Sequence, residues 1–269
     1  MNREHPDEID AKEIVERVLE VLLEHADKYG GVDYRSVDGR IALEVTRVTD
    51  GWKAASRSAL RASRDAGVPE GELQNCWLVF ASETQSGLKT FLQRVHPLLL
   101  QLEAAGEQSF WDQPAQVHVL ERGPLFDIYL PLLQAGVERA LAAPHHDHAD
   151  PSHSHRIIPS LGGGGSVGGS DEALAGLVAE LGRKPDNPAK LSSSGAEQRH
   201  LFVWLDDDSR FDIARPLSRD APTWDDGQFG LPSLAPRIDP AVTHLWVVHQ
   251  RSRRGWLWDG TSWRSLEGL

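Results

Sequence analysis

Cysteine is almost absent from this 269-residue chain, which contains only Cys76. A single cysteine excludes an internal disulfide and a zinc site built from cysteines, and its place in an apolar run predicts a buried, inert thiol. Long hydrophobic runs are also lacking, and the first residues are polar and acidic rather than those of a signal peptide. These absences predict a cytoplasmic protein without redox chemistry or a membrane anchor.

Positive charge is in short supply, because the net charge is −12 at pH 7. A protein that binds nucleic acid through its overall charge needs an excess of lysine and arginine. Any nucleic-acid contact of this chain must therefore be local. The best local candidate is Arg57, Arg61 and Arg64, which share one face of a predicted helix over 53–66. That face predicts either a DNA phosphate contact or an ordinary solvated surface.

The order of apolar patterns indicates an α/β protein with a mixed central sheet flanked by helices. The patterns predict helices over 9–29, 53–66, 86–105, 125–142 and 171–182. They predict strands in a hairpin over 32–48 and at 76–81, 116–121, 156–159, 200–205 and 243–249, with a final hairpin in the last residues.

Composition divides the chain into three stretches. Residues 1–143 form the predicted α/β core, and 144–170 are a connector rich in histidine, glycine and serine. Residues 171–269 are an α+β part that either continues the same sheet or forms a small second unit. The connector carries a histidine cluster that we interpret as a solvated loop rather than a metal site; its members are His145, His146, His148, His153 and His155.

Two acids flank the predicted hairpin that turns at Asp38-Gly39, a strong two-residue turn signal. Asp33 stands near the start of the first arm, and Glu44 lies in the second among apolar and β-branched residues. A carboxylate in such a strand is costly to bury without a partner. Glu44 and Thr46 fall on the same face of their strand, because side chains alternate.

This arrangement, Asp33-Tyr34-Arg35 followed by Leu43-Glu44-Val45-Thr46, resembles the PD-(D/E)xK, or restriction-endonuclease-like, nucleases. The resemblance covers about residues 9–121 and implies a restriction-endonuclease-like core with a strand-rich C-terminal extension. It implies that Asp33 and Glu44 bind Mg²⁺, which activates water against a DNA phosphodiester.

The resemblance also implies roles for further positions. Thr46 occupies the place of the motif lysine, so Lys53 or Arg47 is expected to supply the missing cation. A glutamate of the first helix, with Glu16 as the named candidate beside Glu13 and Glu20, is expected to provide a third acid. The alternative functions are a catalytically inactive binding or scaffold module of the same fold, and an unrelated α/β protein.

Overall fold

The computed structural model describes residues 4–27, 30–65, 73–82, 87–143, 155–161, 168–218 and 229–269. Its helices, in chain order, are α1 (Pro6–Leu19), α2 (Gly51–Asp65), α3 (Phe91–Ala104), α4 (Asp112–Leu120), α5 (Phe126–Gln134), α6 (Ser170–Leu181), α7 (Asp186–Ser193) and α8 (Phe211–Ala214). Its strands are β1 (Leu23–His25), β2 (Tyr34–Ser36), β3 (Ile41–Val48), β4 (Cys76–Ala81), β5 (Ser109–Trp111), β6 (Val137–Ala143), β7 (Ile157–Leu161), β8 (Gln198–Leu205), β9 (His244–His249), β10 (Arg254–Trp258) and β11 (Trp263–Leu266).

The chain folds into two compact units that do not follow its linear order. One unit combines Met1–Asp50 with Gly165–Leu269, and the other is Gly51–Gly164. The boundary expected at residue 143 is therefore not the one observed, because residues 1–50 pack with the C-terminal part rather than with 51–143. The second unit is an insertion between two segments of the first.

The first unit is built on a seven-stranded sheet in the order β1-β2-β3-β8-β9-β10-β11. The predicted hairpin forms: β2 and β3 pair antiparallel, with Tyr34 opposite Leu43. Strand β3 then pairs in parallel with β8 from Ile41↔Gln198 to Val48↔Leu205, and β8 pairs in parallel with β9. The C-terminal strands thus extend the same sheet as the hairpin, which was one of the two expected arrangements.

Both faces of this sheet are covered, as its parallel centre requires. On one face α1 buries Ala11, Ile14 and Val15 in a cluster that includes Leu43 of β3. On the other face α6 and α7 pack on a cluster that includes Ala42 of β3. Alternation along β3 directs Glu44 to the same side as Ala42, toward α6 and α7.

The second unit has a four-stranded sheet in the order β5-β6-β4-β7. The predicted buried strand is confirmed as β4, with Cys76 and Trp77 fully buried. Strand β4 pairs antiparallel with β6 and in parallel with β7, which lies at one edge. Helix α3 supplies much of the core from its buried apolar face. Both sheets are mixed and flanked by helices, so the predicted α/β class is confirmed. Among the described residues, no helix has both the length and the apolarity needed to cross a bilayer.

Two helix ends and the type of one element, all predicted from local patterns, were wrong. The first helix ends at Leu19 rather than near residue 29, because Glu20 adopts a left-handed conformation and the chain enters β1. The helix predicted over 125–142 ends at Gln134, and Gly136 with φ of 76° begins the turn into β6. The strand predicted over 116–121 is α4, whose Val117 and Leu120 are exposed, so its alternating pattern does not reflect a buried face.

The expected extent of the nuclease-like core also needs correction. Strand β4, which falls within residues 9–121 that the resemblance covers, belongs to the second unit, and the strand that pairs in parallel with β3 is β8. The pairing of distant segments depends on long-range packing, which a pass along the sequence does not reveal.

Substituting Gly255 in β10 tests the close packing of the large sheet. A Cβ added there would lie 2.7 Å from the carbonyl oxygen of Val247 and 2.9 Å from a methyl carbon of Val248. We expect Gly255→Ala to lower the free energy of unfolding by about 1–3 kcal/mol, measured by chemical denaturation. Gly31→Ala in the same unit is the control, since its Cβ would meet only an ordinary contact at 3.8 Å. Equal stabilities of the two variants would contradict this packing.

Candidate functional site

Asp33 lies where the first arm of the hairpin begins, and its side chain bridges the two arms. Its carboxylate accepts a hydrogen bond of 2.7 Å from the backbone N–H of Val45. Extending the register of Tyr34↔Leu43 by one residue places Asp33 opposite Glu44. The hairpin therefore brings together the two acids that the sequence singled out, and Asp33 is only 6% exposed.

Glu44 is the more deeply buried acid, at 2% exposed. Its Oε1 accepts a hydrogen bond of 2.7 Å from Nζ of Lys190 in α7. Its Oε2 is buried and has no hydrogen-bond partner among the described residues. A buried, half-satisfied carboxylate costs stability, and such atoms often mark a place where an ion or ligand completes the site.

Burial shifts the protonation of both acids in the same direction. It raises the pKa of Asp33 from 3.8 to about 6, partly offset by the hydrogen bond from Val45. Burial, followed by the charge of Asp33, raises the pKa of Glu44 from 4.5 to about 8, against the opposing effect of Lys190. At neutral pH the pair therefore retains a proton that a bound cation would displace.

The pKa of Lys190 is raised as well, but for a different reason. Partial burial favours its neutral form, but the hydrogen bond and charge of Glu44, with the charge of Asp33, raise the pKa of Lys190 overall. Lys190 thus stays cationic, and its side chain is 27% exposed. The group combines two acids with one ammonium group that remains accessible to solvent.

A second lysine reaches the same face of β3. Lys184, just after α6, donates from Nζ to the hydroxyl of Thr46 at 3.3 Å and to the backbone carbonyl of Arg47. Thr46, which stands in the place of the motif lysine, is therefore hydrogen-bonded by a lysine that comes from outside the hairpin, Lys184. Of the six lysines in the chain, two converge on Glu44 and Thr46.

The segment from α6 to α7 explains how these lysines arrive there. Leu181 and Leu191 are buried against the sheet, which fixes both helices on the face that carries Glu44. Pro185 precedes the first residue of α7 and redirects the chain between the two helices. Lys190 was missed in the sequence because nothing in a short polar helix signals that it reaches a strand that lies far earlier in the chain.

The other cations and acids expected at the site lie in different surroundings. Arg47 pairs with Asp7 and with Asp206, the latter at 2.7 Å, so its guanidinium is engaged by acids of its own. Glu16 accepts the N–H of Leu23 at 2.7 Å and helps connect α1 to β1. Lys53 lies on α2 in the second unit.

Another acid and two tryptophans of the first unit have structural roles, and most of the histidine cluster lies outside the described residues. Asp206 accepts the N–H of Asp208 and the hydroxyl of Ser209, which organises the turn after β8. Trp204 and Trp246 are fully buried in the core. Of the histidine cluster only His155 is described, and His145, His146, His148 and His153 lie outside the described residues.

The raised pKa values predict that the first unit loses stability as the pH rises. Both folded-state pKa values lie above the ordinary ones, so the stabilising effect of the protonated forms is complete below about pH 4. It is lost as the pH passes 6 for Asp33 and 8 for Glu44. The expected total is on the order of a few kcal/mol, measured by thermal unfolding in EDTA from pH 5 to 9.

Glu44→Gln should remove the part of this loss that falls between about pH 6 and 8, because glutamine keeps the shape without titrating. Glu197→Gln is the matched control, since that side chain is 69% exposed and pairs only with exposed Arg40. A wild-type slope in Glu44→Gln would show that Glu44 does not carry the raised pKa.

Comparison with known proteins does not extend this description. No family model, no curated protein and no solved structure matches the chain. The site must therefore be interpreted through its own chemistry: two buried acids opposite each other in a hairpin, and a lysine delivered to one of them from a helix of the same unit.

Proposed function

We propose that this chain is a divergent PD-(D/E)xK-like nuclease that cleaves DNA phosphodiesters with the help of Mg²⁺. The observation that carries the proposal is the contact of 2.7 Å between Nζ of Lys190 and Glu44, the acid that stands two residues before Thr46. Lys190 is in a position to take over the role of the lysine that Thr46 replaces. Asp33, opposite Glu44 in the hairpin, supplies the second acid.

The order of elements around the site supports the same proposal. Helix α1, the hairpin of β2 and β3, the helices α6 and α7 and the parallel strand β8 all belong to one unit. A helix, a hairpin that carries the acids and a helical crossover to a neighbouring strand are the order that the resemblance requires. Residues 51–164 separate β3 from α6 along the chain, but β3 and β8 still pair directly.

The acids fit a hard divalent cation. Both are oxygen donors, and the buried Oε2 of Glu44 has no partner among the described residues. The described residues contain no group of three or more potential ligands, so a bound Mg²⁺ would take only these two carboxylates and would complete its shell with water and phosphate. When bound, the cation would supply a water molecule of lowered pKa and neutralise the two acids.

Lys190 would act on the substrate rather than on the protein. Its ammonium group is partly exposed and stays protonated. An ammonium beside the scissile phosphate stabilises the negative charge that develops during hydrolysis, which is the part assigned to the motif lysine. Lys184 would keep Thr46 and the end of β3 in place through its hydrogen bonds, and we assign it a positioning role.

DNA is the proposed substrate because the site suits a phosphodiester. The expected contact through Arg57, Arg61 and Arg64 is part of this proposal, although these residues belong to the second unit. The overall charge of −12 supports a local rather than a general DNA contact. A cytoplasmic location belongs to the same proposal.

One observation favours an inactive module as the second candidate. The Lys190–Glu44 ion pair satisfies one carboxylate oxygen of Glu44 from within the protein. A pair of this kind also serves to hold α7 against the sheet, with no chemistry involved. In that case the chain would bind a partner through the same fold without cleaving it.

Metal binding should depend on pH in a defined direction. Because Asp33 and Glu44 must release protons to bind a cation, Mn²⁺ should raise the melting temperature more at pH 8 than at pH 5.5. Differential scanning calorimetry with and without Mn²⁺ measures this shift. Asp33→Asn should abolish it, and Glu197→Gln should retain it. A shift that is equal at both pH values, or equal in Asp33→Asn, would argue against these ligands.

Cleavage of plasmid and single-stranded DNA with Mg²⁺ or Mn²⁺ tests the activity. We expect Glu44→Gln and Lys190→Gln each to reduce the cleavage rate by about a hundredfold or more, since each removes a group that acts on the transition state. Lys184→Gln should have a smaller effect, and Glu197→Gln none.

Two outcomes of the cleavage assay would contradict the nuclease. Cleavage that persists in Glu44→Gln would assign the activity to another site or to a contaminant. No cleavage by the wild-type protein, with an intact Mn²⁺-dependent thermal shift, would favour the inactive module.

A further inference from the structure

The second unit contains a cleft of about 480 Å³ between α2 and β7. Its lining combines four arginines with an apolar floor, and it includes no aromatic side chain among the described residues. The arginines are Arg57, Arg61, Arg64 and Arg156; the floor is formed by Leu60, Ile157, Ile158, Pro159 and Leu161, with Ser160 beside them.

Helix α2 supplies one wall of the cleft, because its arginine face lies beside the face that it buries in the unit. Ser56, Leu60 and Ser63 are buried, and the hydroxyl of Ser63 accepts the N–H of Leu92 at 2.9 Å. Arg57, Arg61 and Arg64 each follow a buried residue by one position, or about 100° around the helix. Packing of the buried face therefore directs the arginine face along the side of the helix that borders β7.

The opposite wall is held by the central strand of the small sheet. The backbone carbonyl of Arg156 accepts the N–H of Trp77 at 3.0 Å, and Ile157 pairs in register with Trp77. Arg156 is thus anchored at the start of β7, where its exposed side chain faces the arginines of α2 across the cleft. Two elements that are far apart in the chain supply guanidinium groups to one concave surface.

The chemistry of this surface selects the ligand class. Guanidinium groups bind phosphate oxygens through paired, planar hydrogen bonds, and Arg61 and Arg156 bring two exposed guanidinium groups to the cleft from its two walls. The apolar floor gives the uncharged part of a ligand a surface to bury, and the volume falls in the range of small-molecule pockets. The described residues of the cleft include no aromatic side chain, which disfavours a track for single-stranded nucleic acid, because such tracks typically stack bases on aromatic rings.

We propose that this cleft binds a phosphorylated small molecule of nucleotide size. Its phosphates would contact Arg61 and Arg156 from the two walls, and its apolar part would lie on Leu60 and Ile157. The inference goes beyond the proposed nuclease activity, because every residue involved belongs to the second unit. For the arginine face of α2 it is an alternative to the DNA contact proposed above, and the experiment below distinguishes the two.

Isothermal titration calorimetry of the full chain in EDTA tests this proposal with ADP, AMP and inorganic phosphate as probes. EDTA keeps divalent cations away from the acids of the other unit. We expect ADP to bind at least tenfold more tightly than inorganic phosphate, because inorganic phosphate has no group that could contact the apolar floor. Arg61→Gln and Arg156→Gln should each weaken ADP binding about tenfold, and the side chains are exposed, so both variants should fold.

Two controls separate this site from the rest of the protein. Arg122→Gln removes an exposed arginine of the same unit outside the cleft and should leave ADP binding unchanged. Glu44→Gln should also retain it, which keeps the outcome distinct from that of the DNA cleavage assay. The proposal is overturned if neither nucleotide binds, or if Arg61→Gln and Arg156→Gln bind ADP as the wild type does. Binding of an oligonucleotide but not ADP, lost in the same variants, would also overturn it in favour of a nucleic-acid surface.

Discussion

The parallel pairing of β3 with β8 is the constraint on which the first unit depends. It joins the hairpin near the start of the chain to the C-terminal strands along eight residues of continuous register. Because parallel strands need a crossover connection, α6 and α7 must lie on one face of the sheet, directly over Glu44. Without this pairing, Lys190 would have no route to Glu44, and the second unit would not become an insertion.

Burial of two carboxyl groups side by side is the main electrostatic cost of this arrangement. The protein offsets part of it with the N–H of Val45 at Asp33 and with the ammonium of Lys190 at Glu44. One oxygen of Glu44 is left without a partner among the described residues. Local destabilisation of this kind is common at functional sites, where a ligand restores what folding alone leaves incomplete.

Charge is distributed unevenly over this acidic protein. Asp33 and Glu44 of the first unit are buried in the hairpin, where Lys190 of α7 contacts Glu44. In the second unit, four arginines line one cleft. The net charge of −12 describes neither site. The cation binding proposed for the one unit and the anion binding proposed for the other rest on different residues, so the two can be tested independently.

The sequence by itself determined the local features: the α/β class, the hairpin turned at Asp38-Gly39, the opposition of Asp33 and Glu44, and the arginine face of α2. All of these follow from periodicity and turn chemistry within a few residues. Only the tertiary structure decided that β8 rather than β4 neighbours β3, that Lys190 contacts Glu44, and that Arg156 completes the cleft. These depend on pairings between segments far apart in the chain, and the free energy that selects them comes from packing of whole faces, which no local pattern encodes.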